Sequence, residues 1–492
     1  MVFLNVKIMD LTAIFTDPLL ILLIAIVVVV VSIIWLRLHA FVALLLAAFI
    51  VAILTPGSSI EQFALESGLS PEQARALAER SIGERIAAAF GNTTAQIGIL
   101  IAMAAIIGKC LLESGAAERI VRSIIKLTGQ EKTPVAFAAS SFFLSIPVFF
   151  DTVFYLMVPL AKAMAARLKR NYLLLILCIA AGGTMAHSLV PPTPGPLFLV
   201  AALNIPIHMM MTGGLLVGIV TVTSGYFYAV WINRRLAIPL RSSTDTTLEE
   251  LESLAGKDIS HLPALWLSVM PILVPLLFIS LNGIFDTFLD GGTQNLIVNY
   301  LIAFISFIGE KNTALVTGGL IALILLIKQK AGDWDQISRS VQNALMSGGV
   351  IILITAAGGA FGGMLQQTGI SLRIAELTKG YQMALIPLAF IITAVVRTAQ
   401  GSATVSMITA AGILAGMATN VALEFHVLYI GLAIACGSKP VPWMNDSGFW
   451  IIGKMSNFTT EETLKTFSVM LTLMGIVGLI VTYIAAMIYP MA

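Results

Sequence analysis

Residues 171–202, NYLLLILCIAAGGTMAHSLVPPTPGPLFLVAA, form an apolar stretch that is interrupted near its middle by PPTPGP. From Asn171 to Asn233 the chain contains no Asp, Glu, Lys or Arg, which leaves room for two membrane-spanning helices of about 20 residues each. Four prolines and a glycine within residues 191–196 cannot continue a helix. We therefore predict a broken membrane helix over about residues 172–206, since irregular backbone at membrane depth is stable only where protein buries it or a wet cavity meets it.

The composition of the whole chain agrees with a membrane location. Of its 492 residues, 58% are hydrophobic and only 11% are charged, against roughly 25% charged residues in ordinary soluble domains. The mean hydropathy is +0.95. A soluble fold could not bury so much apolar surface, so we predict a multi-pass protein with the lipid bilayer as its partner. The net charge of +2 and the lack of a long Lys/Arg tract argue against a nucleic-acid partner.

The first apolar stretch, residues 19–36, is uncharged. It is longer than the apolar region of a typical signal peptide, and Asp10 and Asp17 stand where a signal peptide would carry basic residues. We expect a spanning helix of the mature protein there.

A second interruption lies within the apolar stretch over about residues 134–161. Basic residues stand on both sides of it: Lys126, Lys132, Arg167, Lys169 and Arg170. Because positive charge marks the cytoplasmic side, both ends of the stretch are expected to face inward. The stretch is nevertheless too short for two spans of about 20 residues each. With Ser145-Ile146-Pro147 near its middle, it predicts a re-entrant hairpin that dips into the membrane and returns.

The two halves of the chain repeat the same order of features. A shift of 254 residues superposes like residues on each other: Arg85 on Arg339, Gly108 on Gly362, Gly115 on Gly369, Arg119 on Arg373 and Gly183 on Gly437. The second half accordingly has its own predicted hairpin, over about residues 381–418, and its own broken helix, over about residues 425–452. Duplicated halves with interrupted helices at matching positions are typical of transporters.

Residues 234–262 form the clearest polar segment between the halves. We predict a cytoplasmic linker there, which separates a first repeat, residues 1–233, from a second repeat, residues 263–492. If the basic segment around residues 328–339 is also cytoplasmic, counting spans gives the two repeats opposite orientations. The predicted fold is therefore an all-α polytopic membrane protein with two inverted repeats, each with a re-entrant hairpin and a broken transmembrane helix. This count treats residues 291–308 as an apolar helix that does not span.

Polar residues concentrate at the two hairpin turns and the two helix breaks. The candidate substrate-binding residues there are Ser145, Thr152, Thr184, Thr193, Gly195, Arg397, Thr398, Gln400, Gly401, Ser402, Thr404, Ser438, Asn445 and Ser447. Hydroxyl and amide side chains offer neutral donors and acceptors for substrate hydroxyls. Helix N-termini attract an anion, and Arg397 is suited to bidentate binding of a carboxylate. The set predicts a small hydroxylated organic anion as the substrate.

Ionisable residues inside a membrane are costly and are treated as functional by default. Asp151 is the best candidate for a proton carrier, because burial disfavours the charged form of a carboxylate. Asp446 and His187 are the other candidates for proton coupling. Structural roles stay open: Asp151 or Asp446 as the cap of the following helix, and His187 as a neutral hydrogen-bonding group. Likewise Arg397 alternatively clamps free carbonyls, and Lys439 alternatively reaches a membrane interface.

No motif for catalysis or nucleotide binding is present in the sequence. Gly108-Lys109 lacks the upstream glycine of a phosphate-binding loop. The three cysteines, Cys110, Cys178 and Cys436, form no CxxC pair and suggest no metal site. We therefore expect no enzymatic activity, no metal and no cofactor, and transport driven by an ion gradient.

Four segments resemble the gluconate permease (GntP) family, which belongs to the larger ion-transporter superfamily. They are SFFLSIPVFFDTVFYLMVPLAKAMA at 141–165, GGTMAHSLVPPTPGPL at 182–197, RTAQGSATVSMITAAGI at 397–413 and WMNDSGFWII at 443–452. The resemblance covers nearly the whole chain. It implies proton symport of gluconate or a related sugar acid across the cytoplasmic (inner) membrane, and in some members transport of D-serine or another small hydroxylated acid.

The resemblance also implies the architecture of the transporter. The superfamily has paired inverted repeats and an elevator-like movement of a transport domain against a scaffold, and such scaffolds usually form homodimers. The polar helical segment over residues 58–84 is longer than the family pattern leads us to expect, which bears on the subfamily and the substrate. An anion channel is the main alternative from another class, but hairpins that plug the membrane from opposite sides argue against a continuous pore.

Overall fold

The computed structural model describes residues 17–129, 132–168, 171–236, 238–240, 261–288, 296–370, 373, 382–420 and 423–491. Every regular element within these residues is helical. The helices of the first half are α1 (Pro18–Ile34), α2 (Ala40–Leu54), α3 (Gly57–Glu66), α4 (Pro71–Glu79), α5 (Ile82–Glu113), α6 (Ala116–Thr128), α7 (Thr133–Leu144), α8 (Phe150–Leu168), α9 (Tyr172–Leu189), α10 (Pro194–Ala202) and α11 (Ile207–Arg235). The helices of the second half are α12 (Leu265–Phe288), α13 (Leu296–Gly309), α14 (Lys311–Gln329), α15 (Trp334–Gln366), α16 (Leu385–Gln400), α17 (Ala403–Asn420), α18 (Leu428–Gly437), α19 (Ser447–Met455) and α20 (Thr460–Ile488).

Eight helical segments in the described part of the chain are long and apolar enough to cross a membrane: α5, the α9–α10 pair, α11, α12, α14, α15, α16 with the short 3₁₀ turn before it, and α20. The pair of α2 and α3, which meet at an angle of 101°, forms a ninth span if it is counted as one unit. The prediction of an all-α polytopic membrane protein is confirmed. Helix α13 is too short to be among the spans, and residues 291–295 before it lie outside the described residues.

Polar capping residues begin several helices where the apolar pattern resumes. The Ser81 hydroxyl accepts a hydrogen bond from the Glu84 backbone N–H at 3.3 Å, and the Glu84 carboxylate accepts one from the Ser81 N–H at 3.0 Å. Thr459 and Glu462 form the same reciprocal pair at the start of α20. These capping boxes satisfy N–H groups that the first turn of a helix leaves without partners, so they stabilise the starts of α5 and α20.

The first-half hairpin consists of α7 and α8, joined by a turn at residues 145–149. Both helices pack against α9, where Gly182 lets the backbone of α7 at Ala138 approach closely. Every residue of α9 except His187 is buried. The chain then leaves the helical path at residues 190–193 and resumes it in α10. The break is tolerated because protein, and not lipid, surrounds its free backbone groups.

The helices of the second half follow those of the first at the same spacing. Adding 254 to the first residues of α5, α7, α8, α10 and α11 gives 336, 387, 404, 448 and 461, and the second-half helices α15, α16, α17, α19 and α20 begin at 334, 385, 403, 447 and 460. Gly115 and Gly369 both adopt left-handed backbone angles, with φ of 76° and 77°, which glycine alone adopts without strain. The repeated glycine is thus a conformational requirement of the turn after α5 and after α15.

The two longest helices, α5 and α15, are repeat equivalents that pack against each other in antiparallel fashion. Near the start of α5, the Arg85 Nη1 donates to the Gln367 side-chain oxygen just beyond the end of α15, at 2.6 Å. Near the start of α15, the Ser340 hydroxyl donates to the Glu113 carboxylate at the end of α5. Each of the two long helices also packs on a helix of the other half: α5 on α14, and α15 on α2.

Parts of the predicted domain boundaries lie outside the described residues. Helix α11 continues to Arg235, two residues beyond the predicted end of the first repeat at residue 233. Of the predicted linker, residues 237 and 241–260 are outside the described part, as are Lys169 and Arg170 after the first hairpin. The division into repeats at 1–233 and 263–492 stays a prediction.

Candidate functional site

A cavity of about 350 Å³ lies where the two hairpin turns meet the two broken helices. Its lining residues come from both halves of the chain: Phe149, Phe150, Asp151, Thr152, Thr184 and His187 from the first, and Ser347, Ile351, Arg397, Gly401, Ser402, Ala403, Thr404, Lys439, Asp446, Ser447, Gly448, Phe467 and Leu471 from the second. Ten of the predicted site residues are in this set. The structure thereby brings together side chains up to about 300 positions apart in the sequence.

Three helices begin at the cavity wall. Helix α8 begins at Phe150, α17 begins at Ala403 and α19 begins at Ser447, and all three residues line the cavity. The Ser402 hydroxyl accepts the Val405 N–H at 3.3 Å and so caps α17. A helix N-terminus carries a partial positive charge and N–H groups without helical partners. Their convergence makes the cavity favourable for a negatively charged ligand.

Arg397, at the end of α16, is 4% exposed and is fixed by two anchors. Its Nε donates to the Ser438 carbonyl at 2.9 Å, and its Nη2 forms an ion pair with the Asp446 carboxylate. Its Nη1 has no hydrogen-bond partner in the described part of the protein. The carbonyl clamp is therefore part of its geometry, and one buried nitrogen is left without a partner. Bidentate binding of a substrate carboxylate was predicted for Arg397. In the structure Asp446 instead occupies Nη2, one of the guanidinium nitrogens that such binding would use.

Asp446 is engaged through both carboxylate oxygens. Oδ2 pairs with Arg397, and Oδ1 accepts the Phe449 N–H at 2.8 Å as the N-cap of α19. The helix-capping alternative for Asp446 matches this geometry. Asp151, in the first turn of α8, lines the cavity with no hydrogen bond or ion pair to another described residue. Of the two carboxylates, Asp151 is the one whose oxygens remain available at the cavity.

Lys439 is 2% exposed and lies in the break between α18 and α19. Its Nζ donates to the Thr184 carbonyl at 2.9 Å and to the Ser188 hydroxyl, both on α9 of the first half. The alternative that this lysine extends to a membrane interface is wrong, because the side chain points inward across the boundary between the halves. It joins the two broken helices at the cavity.

His187 lies in the last turn of α9 and forms part of the cavity wall. Its ring packs edge-to-face on Phe149 at a centroid distance of 6.0 Å, and Nδ1 has no hydrogen-bond partner among the described residues. The second-half break contains no histidine, so this group is specific to the first half.

Three predicted residues of the first half lie outside the cavity lining. Ser145 is fully buried, and its hydroxyl, like the Phe150 ring, lies close to the face of Gly183. The Thr193 hydroxyl donates to the Val190 carbonyl at 2.7 Å inside the helix break. Gly195 lies against Met407 of α17. All three are buried, and their contacts are made inside the protein.

Four predicted residues of the second half also lie outside the lining: Thr398, Gln400, Ser438 and Asn445. The Asn445 side-chain nitrogen donates to the Thr398 and Ala399 carbonyls at 2.8 and 3.1 Å, so it satisfies the last carbonyls of α16. Gly401 follows with φ of 75° and touches the Asn445 backbone. The side-chain amide of Gln400 has no partner among the described residues. This network fixes the turn of the second hairpin.

Several lining residues were not predicted as site residues. Ser347 and Ile351 come from α15, while Phe467 and Leu471 come from α20, where a π-helical turn spans Leu464–Ser468. The sequence repeat could have indicated Ser347, because a hydroxyl residue, Thr93, stands at the equivalent position 254 residues earlier. The others are apolar residues on apolar helices, and nothing in a single sequence distinguishes them from residues that face lipid.

A second cavity, of about 160 Å³, adjoins the first and shares Phe149, Thr152 and Ser347 with it. It extends to Lys109 near the end of α5 and Asn343 near the start of α15. A third cavity, of about 270 Å³, lies near the opposite ends of α5 and α15 and shares no lining residue with the first. The first cavity therefore has a neighbouring cavity on the side of the α5 end and the α15 start.

Comparison with known proteins identifies the family of the chain. A sequence model of the family described as GntP family permease matches residues 17–488. An uncharacterized permease of Haemophilus influenzae is 31% identical over 96% of this chain and 93% of its own length. A gluconate permease of Zymomonas mobilis is 29% identical over 80% of this chain and 85% of its own.

Among solved structures, the YdaH transporter of Alcanivorax borkumensis is similar in fold. The TM-score is 0.58 at 12% sequence identity, and the match covers 82% of this chain and 88% of that one. At this identity the likeness concerns the fold alone, and it agrees with the polytopic helical architecture described above.

Proposed function

The chain belongs to the GntP permease family and is a multi-pass membrane transporter, and we propose that it is a proton-coupled symporter that imports gluconate or a related small hydroxylated acid across the inner membrane. One observation carries the proposal: three helix N-termini, Arg397 and Lys439 converge on a single cavity lined by both halves of the chain. The gluconate permease of Zymomonas mobilis among its relatives supports gluconate as the first substrate to test.

The chemistry of the wall suits a sugar acid. Hydroxyl side chains at Thr152, Ser402, Thr404 and Ser447 are distributed around the cavity and can donate to or accept from the hydroxyls of a polyol chain. The volume of about 350 Å³ is within the range of small-molecule sites. The free Arg397 Nη1 supplies a charge-assisted donor to the carboxylate end.

Asp151 is the proposed proton carrier, because its charge decides whether the cavity accepts an anion. The Arg397–Asp446 pair is internally neutral, which leaves Lys439 and Asp151 as the remaining charged groups in the lining. With Asp151 ionised, these two cancel, and an added carboxylate gives the cavity a net negative charge. With Asp151 protonated, the added carboxylate balances Lys439. Proton binding and anion binding therefore favour each other.

The proposed transport cycle exposes the cavity to the two sides of the membrane in turn. Antiparallel α5 and α15, together with the repeated order of helices, support inverted repeats. The walls of the second and third cavities include repeat-equivalent residues: Ala105 and Gly108 of one correspond to Gly359 and Gly362 of the other. The cavity with Ala105 and Gly108 shares lining residues with the site. An elevator-like shift of the hairpins along α5 and α15 would bring the site next to the third cavity instead of the second. The scaffold that stays in place during this shift would form a homodimer.

The test is transport by purified protein in liposomes. An inward proton gradient should drive accumulation of labelled gluconate, and an uncoupler should abolish it. Asp151→Asn should lose accumulation but retain exchange of internal for external gluconate, since that exchange needs no net proton movement. Accumulation by Asp151→Asn equal to that of the unaltered protein would contradict the assignment of the proton carrier. Uptake without counterflow would identify a channel, and stronger competition by D-serine than by gluconate would point to the alternative substrate.

A further inference from the structure

We propose that Lys439, rather than Arg397, supplies the positive charge that balances the substrate carboxylate, so that the site selects a ligand with one negative charge. Lys439 has this role only if the chain transports a carboxylate, as proposed above. Arg397 then contributes a hydrogen bond through Nη1, while its charge is already balanced within the protein. The two cations of the cavity thus have different functions.

The balance of charges around the cavity supports this division. The ionisable side chains in the lining are Asp151, His187, Arg397, Lys439 and Asp446. Arg397 and Asp446 form a buried ion pair. Lys439, in contrast, is hydrogen-bonded only to neutral oxygens, and no carboxylate in the described part of the chain forms an ion pair with it. A buried ammonium without a counter-ion is costly, so its retention at a cavity indicates that a ligand supplies the missing negative charge.

The position of the Lys439 ammonium is fixed before any ligand arrives. Its backbone N–H donates to the Cys436 carbonyl at 3.1 Å in the turn that ends α18. Gly475 of α20 packs against the Cβ of Lys439, so that the stem is held between two helices. Two of the three ammonium donors bind Thr184 and Ser188, which leaves one for a ligand. A preorganised charge loses little freedom on binding.

The first half has no counterpart of this charge. The repeat-equivalent position of Lys439, 254 residues earlier, is Met185. The two halves therefore build one anion site together, in which the second half provides the cation and the first half provides Thr184 and Ser188 as its anchors.

The experiment compares equilibrium binding of gluconate with binding of gluconamide, a neutral molecule of nearly the same shape, to the purified full-length protein. The unaltered protein should bind gluconate more tightly by roughly 10- to 100-fold, as expected for a hydrogen-bonded charge pair. Lys439→Met should bind gluconate no more tightly than gluconamide. Lys454→Met is the matched control, since Lys454 is exposed and lies outside the cavity lining, and it should keep the full preference.

The outcomes separate this inference from the proposed function. Binding of neither ligand by the unaltered protein, at any concentration tested, would contradict gluconate transport itself. Equal affinity of the unaltered protein for gluconate and gluconamide would overturn the role of Lys439 even if Lys439→Met does not fold. A folded Lys439→Met protein that still prefers gluconate by tenfold or more would overturn it directly. Lys439→Arg keeps the charge and should keep the preference for the anion.

Discussion

Replacement of Arg397 by lysine is the sharpest test of how the site holds its ligand. The planar guanidinium group of Arg397 has two bound nitrogens and one without a partner. Nε binds the Ser438 carbonyl, Nη2 pairs with Asp446, and Nη1 is buried without a hydrogen-bond partner among the described residues. A lysine ammonium is a compact point charge without the fixed fork. It can keep the ion pair with Asp446 but cannot also reach the Ser438 carbonyl and the ligand from the same place.

The expected loss of affinity follows from the one ligand contact that Arg397→Lys removes. A hydrogen bond that involves a charged group contributes about 1.5–3 kcal/mol, so the dissociation constant should rise roughly 10- to 100-fold. Because the charge of Arg397 is balanced by Asp446, gluconate and gluconamide should lose affinity by similar factors. Titration calorimetry of both ligands on purified protein measures the two factors directly.

Arg85 provides a matched control, because it is 5% exposed, hydrogen-bonded to Gln367 and remote from the cavity. Arg85→Lys should lower the thermal midpoint of unfolding, since it removes a buried hydrogen bond, but should leave the dissociation constant unchanged. The explanation would be refuted if Arg397→Lys bound gluconate as tightly as the unaltered protein. An equal loss of affinity in Arg85→Lys would show that the effect comes from general loss of packing.

Three further predictions address orientation, access and packing. Single cysteines at Glu79, just before α5, and at Asp335, in the first turn of α15, replace two exposed residues. They should react with an impermeant thiol reagent from opposite sides of the membrane, and reaction from the same side would exclude inverted repeats. A single cysteine at Ser402, in the cavity wall, should be protected from the reagent by saturating gluconate; unchanged labelling would place the ligand elsewhere. Gly183→Ala, whose new methyl carbon would lie 2.8 Å from the Phe150 ring, should cost about 1–3 kcal/mol of stability and weaken gluconate binding, whereas Gly349→Ala, which meets no atom within 4 Å, should do neither.

The sequence alone was sufficient for the class of the protein and for the order of its elements. Sixty-three positions without a charge, from Asn171 to Asn233, require a membrane, and PPTPGP requires a break, because proline lacks the N–H that a helix needs. The 254-residue offset was found in the sequence, and in the structure it relates the first residues of five helix pairs to within about two residues. The uncharged stretch and the helix break can be predicted because each depends on the chemistry of residues that are neighbours in the sequence.

The lining of the cavity could be decided only by the tertiary structure. Ser145 and Thr152 both stand near the first hairpin turn, yet Thr152 lines the cavity, whereas Ser145 is fully buried outside the lining. A turn between two helices resets the helical phase, so sequence spacing no longer tells which way a side chain points.

The pairings that give the site its charge are also properties of the tertiary structure. Arg397 meets Asp446 across 49 positions, and Lys439 meets Thr184 across 255. Composition identified these residues as candidates, because charge inside a membrane is rare. Which cation is neutralised by the protein and which is left for a ligand depends on how the two broken helices pack against each other, and that packing arises only when both halves are folded together.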